Sequence, residues 1–189
     1  GHLLTIDDPA EKLAKINAAL DILSDTKRQL LAAGIPCPIV SCAGTGSYLI
    51  SIEHADITEV QAGGAIFMDV FYREKCRVPD LQFALTVPVT IVSRPTPERA
   101  IIDAGRKTLN VEVCPPQVLG RSDILVKRLS AEHGELELAP SAQGLKVGDR
   151  LTIVPGYADL TVALHDKFHC FRDGKLVDVW NVEARGRVT

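Results

Sequence analysis

No stretch of this chain interleaves basic residues with aromatics, and no patch of a single charge sign stands out. Lysine and arginine number 21 against 24 aspartates and glutamates, mixed along the chain to a net charge of −3. A nucleic-acid-binding protein is therefore excluded as a first reading. No apolar run approaches the roughly 18 residues of a membrane span, and the start does not read as a signal peptide. A soluble, cytoplasmic protein with no membrane partner is expected. No two cysteines are spaced CxxC. Cys37, Cys42, Cys76, Cys114 and Cys170 are odd in number, far apart and set among apolar residues. Neither a zinc ribbon nor a thiol-redox motif is supported, and buried, reduced thiols are expected. Internal repeats and low-complexity stretches are missing as well. So is an initiator methionine: the chain begins Gly1-His2, and its single methionine is Met68.

What is present is 46% hydrophobic over 189 residues, enough for one full domain or two small ones. Asp8-Pro9 is a helix start, with Asp7 or Asp8 as cap and proline in the first turn. Leu13, Ile16, Leu20, Leu23, Leu30 and Leu31 follow at mostly helical spacing, and Gly34 and Pro36 stop the run. Ile39 to Cys42 and Ile57 to Gln61 read as short strands. The first runs into Gly44-Thr45-Gly46 and the second into Ala62-Gly63-Gly64. This alternation is part of a parallel α/β barrel. After Pro79 the texture changes to short strand-like runs: Leu85 to Val92, Ala100 to Asp103, Ile124 to Leu129, Glu135 to Leu138, Arg150 to Val154, Thr161 to Cys170 and Lys175 to Val182. Asp173-Gly174 between the last two is a hairpin turn. The expectation is α/β plus all-β: residues 1–78 as part of a (β/α)8 barrel, 79–189 as a β domain. Residues 1–78 are too few for eight strand–helix units, which take roughly 250 residues, and two or three units alone would leave open edges. A further barrel segment is expected.

The two glycine turns are the first candidate site. Successive backbone N–H groups in such turns cradle an anion, and small side chains let a phosphate approach the main chain. Gly44-Thr45-Gly46-Ser47 adds two hydroxyls, whereas Gly63-Gly64 offers bare backbone. Following consecutive parallel strands, both turns fall at the C-terminal face of a barrel, where ligands bind. Tyr157 and Asp159 form a second candidate. If extended, they project from one face at roughly 6–7 Å, toward one metal or substrate group. His165 and His169, read as strand, lie about 13 Å apart and cannot share one ion. His133 sits at a hairpin turn, and His2 and His54 are expected to face solvent. Asp103, with Arg106 and Lys107 nearby, suits either a substrate carboxylate or a surface ion network.

Several of these pieces together resemble one family, the D-threonine aldolases and D-serine dehydratases. Gly1-His2-Leu3-Leu4 resembles the end of the family's Gly-Tyr-Glu-Gly-His segment, and Val40 to Tyr48 its Ser-Gly-Gly-Gly-Thr-Gly-Thr-Tyr loop. Glu59 to Asp69 resembles Glu-Ile-Gln-Ala-Gly-Ser-Tyr-Val-Phe-Met-Asp. Ile102 to Gly105, Glu132 to Gly134, and Val177 to Trp180 with Ala184 to Arg187 follow in family order. The resemblance implies an alanine-racemase-like barrel followed by a β domain, of which this chain is the C-terminal half. It implies pyridoxal phosphate held by a lysine near the barrel's first strand. By that analogy Gly44, Thr45, Gly46, Ser47, Gly63 and Gly64 hold the cofactor phosphate. None of the chain's lysines sits where the family motif puts the anchor, so an N-terminal segment is expected to supply it and this chain alone to be inactive.

Two positions depart from the family pattern. Its Gly-Ser-Tyr is Gly63-Gly64-Ala65 here, which removes a hydroxyl from the phosphate turn. Its metal motif reads Pro155-Gly156-Tyr157-Ala158-Asp159, so Asp159 matches a permitted ligand but Tyr157 replaces histidine. A phenol with a pKa near 10 is a poor ligand for Zn²⁺ or Mn²⁺ beside imidazole, which argues against a metal. The resemblance implies a substrate of the D-3-hydroxy amino acid class, cleaved to glycine and an aldehyde or dehydrated to a keto acid and ammonia. Tyr157 or Asp159 would orient or deprotonate the β-hydroxyl. It also implies a homodimer when complete. The alternative is a relative that binds the cofactor or an amino acid without turning it over.

Overall fold

The structure is a computed structural model that describes residues 2–187. Its chain divides into two compact units, Gly1–Gln82 and Phe83–Thr189.

The first unit begins with α1 (Pro9–Ala32), whose Asp8 cap accepts the Glu11 N–H at 2.7 Å. Its buried row is Lys12, Ile16, Leu20 and Ser24, four positions that recur every fourth residue and so share one face. Leu13 and Leu31, expected on that face, are exposed. Gly34, at φ +74°, ends the helix. The strands β1 (Ser41–Cys42) and β2 (Glu59–Val60) pair in parallel, as Ser41 with Glu59 and Cys42 with Val60. Both are shorter than the sequence suggests. Apolarity at Ile39 is not burial, since that residue is 63% exposed. A four-residue helix α2 (Tyr48–Ser51) follows β1, and a single π-helical turn spans Phe71–Lys75.

The second unit is built on a six-stranded antiparallel sheet of β3 (Val87–Thr96), β4 (Arg99–Ile102), β5 (Gln117–Val118), β6 (Ile124–Leu129), β7 (Gly134–Leu138) and β8 (Arg150–Val154), in the order β5-β8-β3-β4-β7-β6. The edge strands β5 and β6 approach each other, so the sheet curls into a nearly closed barrel. Alternate residues Val87, Val89, Ile91, Ala100, Ile102, Leu136, Leu138, Leu151 and Ile153 fill its core. In β6 the register shifts between Val126 and Arg128, and the extra residue brings Leu129 back inside after two exposed cations.

The strand expected over Thr161 to Cys170 is not one element. Residues Ala158–Val162 form a short helix, α3, and β9 begins only at Lys167. Tertiary partners override strand propensity here: buried Thr161 accepts the Asn110 N–H at 3.3 Å, and the His165 ring meets the Thr108 carbonyl at 2.9 Å. The hairpin of β9 (Lys167–Arg172) and β10 (Lys175–Asn181) turns at Asp173 and Gly174, both at positive φ. Every residue of β10 is exposed.

Candidate functional site

The parallel pair β1–β2 sets the two glycine turns side by side. Where β1 ends, Ala43 takes a left-handed φ of 62°, and the Ser47 N–H closes a turn on the Gly44 carbonyl at 3.0 Å. Where β2 ends, the Gln61 N–H reaches back to the carbonyls of Cys42 and Ala43, at 3.3 and 3.1 Å. The second turn runs over Gly63–Ile66, with the Gly64 carbonyl accepting from Phe67 and Met68. The turns meet at a definable point: a Cβ on Gly64 would lie 3.2 Å from Thr45 Oγ1. Thr45 is 2% exposed and its hydroxyl has no hydrogen-bond partner. An orphaned buried hydroxyl is costly, and Thr45 also lines a cavity of the first unit with Gly46 and Ser47. A Cβ on Gly63 would meet nothing within 4 Å, so one face of the second turn is bare and open. All six expected positions, Gly44, Thr45, Gly46, Ser47, Gly63 and Gly64, lie on the two adjoining turns, and Gly63 alone of the four glycines has nothing within 4 Å of where a Cβ would sit. Gly46 is packed instead, a Cβ there falling 3.0 Å from Cys76 Sγ and 3.1 Å from the Leu4 side chain. Ser47 precedes α2 without capping it. An orphaned hydroxyl beside bare backbone fits the phosphate of pyridoxal phosphate.

Three residues near the turns were not singled out from sequence. Tyr72 is 8% exposed, and its ring lies against Gly64. Asp69, fully buried, accepts the Tyr72 N–H at 2.8 Å. Lys12 is buried, donates to the Cys76 carbonyl at 2.7 Å, and lines a cavity of about 360 Å³ together with Leu13, Thr45, Gly46, Ser47 and Arg77. Burial lowers its amine from the usual lysine range. The signal for Lys12 was its place in the i, i+4 row; Tyr72 carried none.

In the second unit Tyr157 is extended, at φ −142° and ψ 117°, but Asp159 is helical. Tyr157 is the N-terminal cap residue of α3, half-buried, and Asp159 lies exposed in the first helical turn. The chain changes from extended to helical between them, so the strand alternation expected to set both on one face does not apply. Gly156 fixes this corner, since a Cβ there would fall 1.7 Å from the Cys114 carbonyl oxygen. Among the described residues, no group of three or more His, Cys, Asp or Glu could hold a metal ion. His133 sits in the β6–β7 turn, bonded through its backbone to Ser130. His54, expected in solvent, is half-buried against Asp21 at 3.2 Å. Asp103 braces the sheet by accepting the Thr90 N–H at 2.7 Å, while Lys107 pairs with Glu132, so this cluster is an ion-pair and backbone network. Two motifs of the resemblance pack on each other there. A Cβ on Gly105 would lie 2.4 Å from the Ala131 carbonyl oxygen, and one on Gly134 2.8 Å from that of Ala104.

All five cysteines are free, but only Cys76 and Cys114 are buried; the other three are partly accessible. Burial pushes the Cys76 thiol up to about 11. No helix among the described residues is long and apolar enough to cross a membrane.

Comparison with known proteins gives a consistent picture. Residues 84–171 match the model of the putative serine dehydratase domain. A D-threonine aldolase of an Arthrobacter species is 34% identical over 187 residues, 98% of this chain and 48% of its own length. A 3-hydroxy-D-aspartate aldolase of Paracoccus denitrificans strain Pd 1222 is 34% identical over 194 residues, 99% of this chain and 50% of its own. The crystal structure of a D-threonine aldolase from Filomicrobium marinum superposes with a TM-score of 0.93 at 31% identity, covering 100% of this chain and 53% of that one. The chain spans about half the length of the curated relatives it matches. The fold is that of the C-terminal units of a (β/α)8 barrel followed by a β domain.

Proposed function

Because the chain belongs to the D-threonine aldolase and D-serine dehydratase-like family, we propose that the complete protein containing it is a pyridoxal-phosphate-dependent lyase acting on D-3-hydroxy amino acids. Residues 1–78 form part of the cofactor-binding barrel and residues 79–189 the β domain. The observation that carries the reading is the buried, unpartnered Thr45 hydroxyl at the junction of the two glycine turns. The backbone of Gly44 to Ser47 and of Gly63 and Gly64 receives the cofactor phosphate, and the Thr45 hydroxyl donates to it. When bound, pyridoxal phosphate supplies the electron sink that breaking a bond at the substrate Cα requires. Its anchoring lysine lies outside residues 1–189, so this chain alone is inactive.

Tyr157 or Asp159 orients or deprotonates the substrate β-hydroxyl. A lone exposed carboxylate with tyrosine in place of the family's histidine is a poor donor set for Zn²⁺, whose sites take three or four protein ligands. The complete enzyme works as a homodimer in the cytoplasm; five free cysteines support a reducing compartment. A second reading, a relative that binds cofactor without turnover, is favoured by Gly64-Ala65 and Tyr157 standing where the family motifs carry Ser-Tyr and His. Incubating the complete holoprotein with D-threonine, D-serine and 3-hydroxy-D-aspartate separates the two. Turnover gives glycine with an aldehyde, or ammonia with a keto acid. An unchanged visible spectrum and no product with any D-3-hydroxy amino acid would overturn the enzyme reading.

A further inference from the structure

We propose that Tyr72 is a positioning residue for the phosphate site, its ring bracing the 63–66 turn against Thr45 and making glycine obligatory at position 64. This rests on the reading that the two turns hold the cofactor phosphate. A Cβ on Gly64 would fall 2.5 Å from Tyr72 Cε2, 3.1 Å from its Cζ and 3.2 Å from Thr45 Oγ1. The ring and the orphaned hydroxyl therefore close on one point from two sides, leaving no room for a side chain.

The backbone that carries the ring is held on both sides. Asp69, fully buried, takes the Tyr72 N–H at 2.8 Å, and the Tyr72 carbonyl accepts the Val78 N–H at 3.0 Å. Phe71 meets its edge at a centroid distance of 5.4 Å. The turn thus has a packed back at Gly64 and a bare front at Gly63. Main-chain N–H groups bind an anion well only when held in place before it arrives, and the ring supplies that hold from behind. The absence of serine at position 64 then has a steric cause. The hydroxyl is excluded by Tyr72, and the phosphate site relies on backbone and Thr45.

The test compares binding of pyridoxal 5′-phosphate and of pyridoxal, which lacks the phosphate, to the complete apoprotein by equilibrium dialysis. The quantity read is the preference for the phosphorylated form. Wild type shows that preference. Tyr72→Leu lowers it about tenfold, the scale on which partners that orient a ligand-binding group act, while pyridoxal binding is unchanged. Tyr72→Phe keeps it, because the ring carries the effect. Gly64→Ala loses it, and Gly64→Ala with Tyr72→Leu regains part of it, a coupling that an independent structural role would not produce. Should Tyr72→Leu fail to fold, Tyr72→Phe and Gly64→Ala still decide: an unchanged preference in Gly64→Ala, or a lost one in Tyr72→Phe, overturns the positioning role of the ring. Without a phosphate preference in wild type, the phosphate-site reading falls. With that preference intact in Tyr72→Leu, or with both ligands weakened equally, the positioning role alone is overturned.

Discussion

Single residues here work mainly by excluding space or fixing charge. Gly156 is the sharpest case, since a side chain would collide with the Cys114 carbonyl rather than with a flexible neighbour. Gly156→Ala is expected to lower stability by about 1–3 kcal/mol, the usual cost of overpacking, and to displace Tyr157; a shifted denaturant midpoint checks it. Asp123 shows the electrostatic side. Both its carboxylate oxygens accept from Arg121, at 2.8 and 3.0 Å, and Ser141 donates to one of them at 3.0 Å. The Arg121 hydrogen bonds hold the carboxyl down to about 2 from an ordinary 3.8. A depressed carboxyl favours the fold above its ordinary value and loses that contribution as pH falls through about 2. Carbon-detected NMR titration should place the Asp123 midpoint near 2, and Arg121→Gln should return it toward 3.8. Cysteine reactivity follows the same logic. The thiolate reacts, so Cys76, raised to about 11 by burial, should alkylate far more slowly at pH 8 than Cys37 and Cys170. Peptide mapping after limited iodoacetamide treatment reads the order.

At the level of elements, the β9–β10 hairpin is the piece most legible in the sequence. Asp173 at φ 51° and Gly174 at 74° are the two positive torsions that an Asp-Gly hairpin turn demands. Gly174→Val places a β-branched residue in that region. The hairpin should open, read as faster hydrogen exchange across Lys167–Asn181 and as a change in the emission of Trp180, the chain's only tryptophan. The start of α1 was equally legible, because cap and proline act locally. Its buried face was not: leucines report hydrophobicity, whereas Lys12 and Ser24 are buried through the neighbours they meet. The helix at Ala158–Val162 escaped because five residues hold too little periodicity to outweigh β-branched Thr161 and Val162. Thr45 and Gly64 could be named as candidates from their turns. Tyr72 could not, because its ring reaches Gly64 through a fold of the chain that no spacing encodes.

The chain as a whole leaves apolar surface and strand edges open among the described residues. Two parallel strands of two residues each leave ladder edges open, and Leu13, Ile22 and Leu31 of α1 are 47%, 66% and 51% exposed. Relatives about twice as long make the remainder of a barrel the natural cover. The cofactor's covalent anchor should then lie in that remainder, and the strongest competitor inside the chain is Lys12. Its buried amine is shifted toward the neutral, nucleophilic form, and it lines the cavity shared by Thr45, Gly46 and Ser47. Yet its ammonium donates to the Cys76 carbonyl, and it stands in the first turns of α1 rather than on a barrel strand. Borohydride reduction in the presence of pyridoxal phosphate, followed by peptide mass spectrometry, decides between them. The complete protein should carry one adduct on a lysine outside residues 1–189, and the 189-residue chain no stoichiometric adduct. A single stoichiometric adduct on Lys12 would move the anchor into this chain and overturn the proposal that it lies elsewhere.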